Sequence, residues 1–220
     1  MRAVTLPGLG DLLVGKILGI GTNYASHAAE MGARVGGDPV VFLKPASALL
    51  ADAGTVRPPG PGHELHHEVE LVAAIGRSGR RIPFEQALSY VAGYAVGLDL
   101  TLRDLQREAK RLGRPWALAK GFDGAAPVSG FRAASEVPDP QKVALTLKVN
   151  GALRQSGSTA EMIVPVAGLV CFLSAYFTLE PGDLIFTGTP AGVGALRPGD
   201  ALEAEAAGVG TLRVTVGSPA

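Results

Sequence analysis

Cysteine is nearly absent from this chain, charge of neither sign is in excess, and no apolar run is long enough to span a membrane. The single Cys171 among 220 residues excludes an internal disulfide and a cysteine-based zinc site. Its apolar surroundings predict a buried, inert thiol. Lys+Arg number 20 against Asp+Glu 20, a formal net charge of zero, so nothing draws the protein to nucleic acid or to an anionic membrane. The most apolar stretch, 163–179, is interrupted by Pro165, Gly168 and Ser174 and falls short of the roughly 20 residues of a membrane span; it reads as a buried helix. The opening residues, MRAVTLPGLGDLLVGK, show neither a signal-peptide pattern nor an Arg-rich amphipathic one, and the cytoplasm is the expected location. Asn and Gln are few while Ala, Gly and Pro abound, which suits either a thermophile or a biased genome.

Complete phosphate-binding motifs are also missing. Gly10 to Lys16 matches G-x4-G-K, but Ile17 follows where a magnesium-binding Ser or Thr is needed. Gly19-Ile20-Gly21 begins a dinucleotide fingerprint and meets Tyr24 where its third glycine belongs. Kinase and dehydrogenase chemistry are therefore disfavoured. His67-Glu68 has Leu71 in place of the second zincin histidine, and His63, His66 and His67 match no zinc spacing.

What the chain does have is 30 Gly and 16 Pro, many in turn clusters such as Pro58 to Gly62 and Pro181-Gly182, set between short β-branched runs. With 47% hydrophobic residues a sizeable core is available. Leu145 to Val149, then Asn150-Gly151, is a strong hairpin signal, because both turn residues tolerate the positive φ of a type I′ turn. Helices are predicted over 24–31, 83–89, 102–112 and 165–177. No repeat and no linker divides the chain. The expectation is a single β-rich α+β domain.

The chemistry begins with HHEVELVAAIG, residues 66–76. Residues 69–75 read as a strand, and Glu68 and Glu70 then point to one side of it. Two carboxylates so placed repel, and burying them is costly. Either that face is wet or a cation lies between them. Asp99 is a third oxygen donor, at the end of a strand-like run and just before a helix; an N-cap role there is equally open. Three carboxylates would suit a hard cation such as Mg²⁺ or Mn²⁺. His27 and Glu30, three apart on a predicted helix, form either a plain surface pair or a general base with its orienting carboxylate. Lys44 in an apolar strand, Lys120 beside Gly121 and the loop TGTPAGVG at 187–194 complete the unusual placements. Each lysine, taken singly, is equally a residue snorkelling to solvent.

In order, GTNYASHAAEMG, FLKP, HHEVEL, GYAVGLDLTLRDLQ, PWALAKGFD, LKVNGALRQ, EMI and GDLIFTGTPAGVG resemble the blocks of the fumarylacetoacetate hydrolase family, from about Lys16 to the C-terminus. The small acylpyruvase/oxaloacetate decarboxylase branch is the most similar. The resemblance implies a fumarylacetoacetase-like β-roll or sandwich with a few short helices, usually a homodimer. Residues 1–15 would form a short N-terminal hairpin or extension and 16–220 the catalytic domain. It implies Mg²⁺ (or Mn²⁺) on Glu68, Glu70 and Asp99, and His27–Glu30 as catalytic dyad on a lid-like helix. Lys120 falls at the substrate oxygens, with Lys44, Gln106 and Thr189 around the pocket. The implied reaction is metal-dependent C–C cleavage of a small 2-oxo acid, by acylpyruvate hydrolysis or oxaloacetate decarboxylation through a pyruvate enolate. The alternative is an isomerase or decarboxylase of unsaturated 2-oxo-diacids, of the 5-carboxymethyl-2-hydroxymuconate or 2-hydroxyhepta-2,4-diene-1,7-dioate isomerase type. One departure stands out: the branch carries Arg where this chain has Thr22, leaving Arg34 or Arg103 to replace it as the cation for a substrate carboxylate.

Overall fold

The computed structural model describes residues 2–30, 32 and 36–220. Two sheets dominate a strand-rich, curled body, and the predicted β-rich α+β class holds. The larger sheet runs in the order Val40–Lys44, Ile17–Gly21, Leu184–Phe186, Val69–Ile75, Val91–Leu98, Ala126–Val128 and Leu49–Ala51, with Arg132–Ala133 pairing beside Val91–Leu98. The smaller comprises Ala152–Ser158, Ala144–Val149, Ala201–Ala206, Gly210–Val216 and Gly54–Val56. A short strip joins Thr101–Leu102, Leu65–His67 and Gly194–Ala195, and Ala3–Leu6 pairs antiparallel with Gly10–Leu13 as a separate hairpin.

The strand Val69–Ile75 organises the interior. Every residue in it is buried, as a run apolar but for Glu70 requires when both faces are covered. Its odd residues, Val69, Leu71, Ala73 and Ile75, pack into one apolar cluster with Leu18, Val96 and Leu98. Its even residues Val72 and Ala74 pack into another, with Ile17, Ala126, Leu184 and Phe186. Glu70 continues the even side. Each fully buried Leu or Ile here contributes roughly 1.5–3 kcal/mol of transfer free energy, which is what anchors a charged strand end in the core. The smaller sheet behaves differently: Ala201–Ala206 strictly alternates exposed and buried residues, so one of its faces is wet. Asn150 and Gly151 both take positive φ, 52° and 79°, as the hairpin turn demands.

Two expectations need correction, those for residues 83–89 and for Cys171; the other helices fall within a few residues of their expected ranges. Residues 83–89 do not form an α-helix; Phe84–Tyr90 winds as a 3₁₀ helix, with Ser89 Oγ donating back to Gln86 O at 2.7 Å. The helix expected over 165–177 is Val166–Tyr176, and it is one-sided: Val166, Leu169, Val170 and Leu173 are buried while Tyr176 is exposed. Cys171, on its flank, is half-buried rather than buried. The helix expected over 24–31 is described as Ala25–Glu30, and Met31 lies outside the described residues. The helix expected over 102–112 is Arg103–Leu112, ended by Gly113 at φ 65°. Among the described residues no helix is long and apolar enough to cross a membrane.

Candidate active site

Antiparallel register brings the three carboxylates together. Val69 pairs with Leu98 and Glu70 with Gly97. One step further, Asp99 N donates to Glu68 O at 2.8 Å, so Glu68 and Asp99 face each other where the two strands end. Glu68, Glu70 and Asp99 are all buried, and each offers one oxygen within 4.8 Å of the others. The wet-face reading of Glu68 and Glu70 therefore fails. So does the N-cap reading of Asp99, because the helix starts at Arg103 and Leu102 precedes it without a side-chain cap.

Three cations surround these anions. Lys120, at the end of the short helix Ala117–Lys120, donates to Glu68 Oε2 at 2.8 Å and to Asp99 Oδ2 at 2.5 Å. Arg103 pairs with Glu68 Oε1 and donates to Gln106 Oε1 at 2.5 Å. Lys44 lies one layer beneath, 1% exposed; its Nζ donates to the carbonyls of Lys120, Ala125 and Leu100 and sits 2.7 Å from Asp99 Oδ1. That last contact is electrostatic rather than directional, since Asp99 Oδ1 has no aligned hydrogen bond. Neither lysine snorkels. Lys120 lines the cavity; Lys44 does not.

The charges are unevenly paired. Burial opposes the Glu68 carboxylate, but Lys120 and Arg103 together hold it well below the usual carboxylate range. Burial also opposes the Lys120 charge, and Asp99 and Glu68 outweigh it, raising that ammonium above the usual lysine range. Lys44 goes the other way, pushed down by burial despite Asp99. Among the described residues Glu70 has no cation partner. Its Oε2 accepts only the Gly188 N–H, at 2.7 Å, and burial, then Asp99 and Glu68, push its carboxyl well above the usual range. An all-oxygen donor set with one uncompensated carboxylate and one unbonded oxygen fits a hard divalent cation such as Mg²⁺ or Mn²⁺.

The opposite wall is the helix Ala25–Glu30. His27, 5% exposed, has Nδ1 3.2 Å from Glu30 Oε2. Glu30 in turn accepts the Gly192 N–H, so the 187–194 loop holds the pair in place. Glycine is required at two points of that loop. At Gly188, φ is 98° and a Cβ would meet Asn23 Cβ at 2.7 Å; at Gly192, φ is 96° and a Cβ would meet Arg154 O at 2.4 Å. The cavity between the walls is lined by Thr22, His27, Glu68, Glu70, Arg103, Gln106, Lys110, Trp116, Lys120 and Thr189, and its volume is only about 20 Å³. Larger depressions exist, one of about 650 Å³ beside Arg154 and Arg197, but the carboxylate cluster is not in them.

Of the residues expected at the site, Glu68, Glu70, Lys120, Gln106, His27 and Thr189 line one cavity, Asp99 and Glu30 support it, and Lys44 underlies it. Thr22 lines it too, in the left-handed region at φ 57°. Arg103 is committed to Glu68, and Arg34 lies outside the described residues. Two bracing residues escaped the sequence reading. Asn23 bonds the backbones of Val164 and Thr187. Gln155, 1% exposed, accepts from Val69 N, meets His67 Nδ1 at 2.9 Å, and donates to Thr189 Oγ1 and Pro190 O. An unusually low-Gln chain with Gln in a strand is a faint signal at best.

Sheets that curl around a buried carboxylate cluster, with a histidine helix facing it, define a class of protein that comparison identifies. The model of the Fumarylacetoacetate (FAA) hydrolase C-terminal family matches residues 16–217, and the chain belongs to the fumarylacetoacetate hydrolase family. It is 47% identical over 200 residues to the mitochondrial oxaloacetate tautomerase of Rattus norvegicus, covering 91% of this chain and 90% of that one. Among solved structures it is similar to fumarylpyruvate hydrolase from Pseudomonas aeruginosa in complex with Mn²⁺ and pyruvate, with a TM-score of 0.91, 43% identity and coverage of 98% and 95%. It is also similar to 5-carboxymethyl-2-hydroxymuconate delta-isomerase from Mycobacterium smegmatis, with a TM-score of 0.86, 36% identity and coverage of 100% and 83%. The protein is an enzyme of this family.

Proposed function

We propose that the protein cleaves a carbon–carbon bond in small 2-oxo acids, as an acylpyruvate hydrolase or oxaloacetate decarboxylase, by way of a pyruvate enolate. The observation that carries this reading is the facing of two unlike groups across one cavity: a cationic lysine set in a carboxylate cluster, and a histidine oriented by a glutamate. Glu68, Glu70 and Asp99 would hold Mg²⁺ or Mn²⁺, which when bound supplies Lewis acidity toward the oxygens of a 2-oxo acid.

An ammonium has three donors. Lys120 spends two on Glu68 and Asp99 and keeps one for the 2-oxo oxygen, where negative charge develops as the enolate forms. Glu30 accepts a hydrogen bond from Nδ1–H of His27, which keeps that proton on Nδ1 and leaves the lone pair on Nε2, where it can accept a proton from water. For an acylpyruvate, that water attacks the distal carbonyl, the bond to C3 breaks, its electron pair forms the enolate, and C3 is then protonated to give pyruvate. For oxaloacetate, CO₂ leaves instead and no water is consumed. A cavity of about 20 Å³ holds little more than one water, so the site must open for substrate to enter. The same reading expects a homodimer, which light scattering checks.

A second reading, tautomerisation, moves a proton between C3 and the 2-oxo oxygen at the same groups. Its support is the 47% identity to a relative named oxaloacetate tautomerase. One experiment separates the two. Purified protein is given acetylpyruvate or oxaloacetate with Mg²⁺ or Mn²⁺, with and without EDTA, while pyruvate and enol absorbance are followed. Metal-dependent pyruvate supports cleavage. Enol–keto exchange without pyruvate supports tautomerisation, and turnover indifferent to EDTA would refute the metal site.

A further inference from the structure

One cation at this cavity has no counter-charge. Arg103, Gln106 and Lys110 stand at i, i+3 and i+7 of the helix Arg103–Leu112, so they share a face, and all three line the cavity. At about 1.5 Å per residue, Lys110 lies about 10 Å from Arg103 along the helix axis. The row runs outward: Arg103 and Gln106 are 3% and 4% exposed, and Lys110 is exposed. Arg103 and Lys120 are neutralised by Glu68 and Asp99. Lys110 has no carboxylate partner among the described residues. Its ammonium instead rests 5.1 Å from the centre of the Trp116 ring, which also lines the cavity. Loss of solvation at that end, then repulsion from Arg103 and Lys120, push this ammonium below the usual lysine range; a ligand anion would relieve that repulsion. Thr22, which also lines the cavity, brings no charge.

We propose that Lys110, seated on Trp116, is a specificity-determining residue that receives an anionic group at the far end of an acylpyruvate whose pyruvoyl end lies at Lys120. The proposal rests on the 2-oxo-acid reading above. The spacing along the helix makes it a length gauge: a carboxylate several atoms beyond the reacting bond reaches Lys110, whereas acetylpyruvate ends in an uncharged methyl group.

The test compares kcat/KM for fumarylpyruvate and acetylpyruvate in the wild type, Lys110→Met and Lys110→Arg, with Mn²⁺ present. The ratio of fumarylpyruvate to acetylpyruvate should fall about tenfold in Lys110→Met, mostly through KM, and recover in Lys110→Arg, as expected for one partly exposed charge-assisted contact. A structural effect would lower both substrates together. An unchanged ratio with both substrates turned over would overturn the assignment of Lys110 alone. No turnover of either by the wild type would overturn the cleavage reading and this assignment with it.

Discussion

Glu70→Gln tests the carboxylate cluster without reference to catalysis. Glu70 is 1% exposed, accepts one backbone N–H and has no cation partner among the described residues, while Lys120 serves both Glu68 and Asp99. Its carboxyl is pushed well above the usual range, by burial first and then by Asp99 and Glu68. The sign follows from linkage. Below the ordinary carboxylate pKa of about 4.3 both the folded and unfolded states hold the proton. As pH rises past that value the unfolded chain releases it while the folded protein retains it, so stability falls until the folded pKa is passed. In EDTA at pH 7 the wild type therefore carries a cost that Gln lacks. The isosteric amide keeps an acceptor for Gly188 N–H. Removing a buried carboxyl that must either stay charged without a partner or keep its proton stabilises by about 1–3 kcal/mol, and for a chain of this size each kcal/mol is worth about 2–4 °C of Tm. The variant should melt about 2–12 °C above the wild type in EDTA at pH 7, the gap closing toward pH 4. Divalent ion should close or invert the gap: at 100 times Kd it adds about 2.7 kcal/mol to the wild type and little to a variant lacking one ligand. Thermal melts at matched protein concentration, with EDTA or Mn²⁺, read both effects. Equal melting in EDTA, or an undiminished Mn²⁺ shift in the variant, would refute the argument.

Three further substitutions probe other parts of the site. His27→Ala should lower acylpyruvate hydrolysis by about 10²–10⁴ in kcat while circular dichroism and the Mn²⁺ melting shift stay as in the wild type; full hydrolysis would remove His27 from the reaction. Gly188→Ala places a Cβ 2.7 Å from Asn23 Cβ on a left-handed backbone, and should cost about 2–3 kcal/mol in urea unfolding and weaken Mn²⁺ binding, because the same N–H holds Glu70. Gln155→Leu removes partners from Val69 N, His67, Thr189 and Pro190, and should lose about 3 kcal/mol and raise KM; a stability within 0.5 kcal/mol of the wild type, the usual range for a surface change, would show the brace to be unimportant.

How far these features could be read beforehand depended on the range of the contacts involved. Glu68 and Glu70 were legible because same-side placement is a property of one strand. Asp99 was legible only as a plausible end-of-strand acid; its meeting with Glu68 depends on the Val69–Leu98 register, which joins segments about thirty residues apart. Lys44 and Lys120 looked anomalous for the same reason, yet only the packing distinguishes a cation beneath Asp99 from one facing the cavity. Gln155 shows most clearly why the rest stayed hidden. In a regular strand 153 and 155 would share a face, and Leu153 would point inward with Gln155 beside it. Instead Lys148 pairs with Leu153 and Leu147 with Gln155, so Arg154 is an extra residue and the ladder is bulged. The bulge turns Leu153 out, to 58% exposure, and Gln155 in, to 1%. Gln155 then reaches from the smaller sheet to Val69, at the start of the strand that carries Glu70, and to Thr189 on the loop that holds both Glu70 and Glu30. A single inserted residue in a solvent-edge hairpin thus links the metal-ligand strand to the loop that positions the histidine pair, and no local pattern in LKVNGALRQSG marks where that insertion falls.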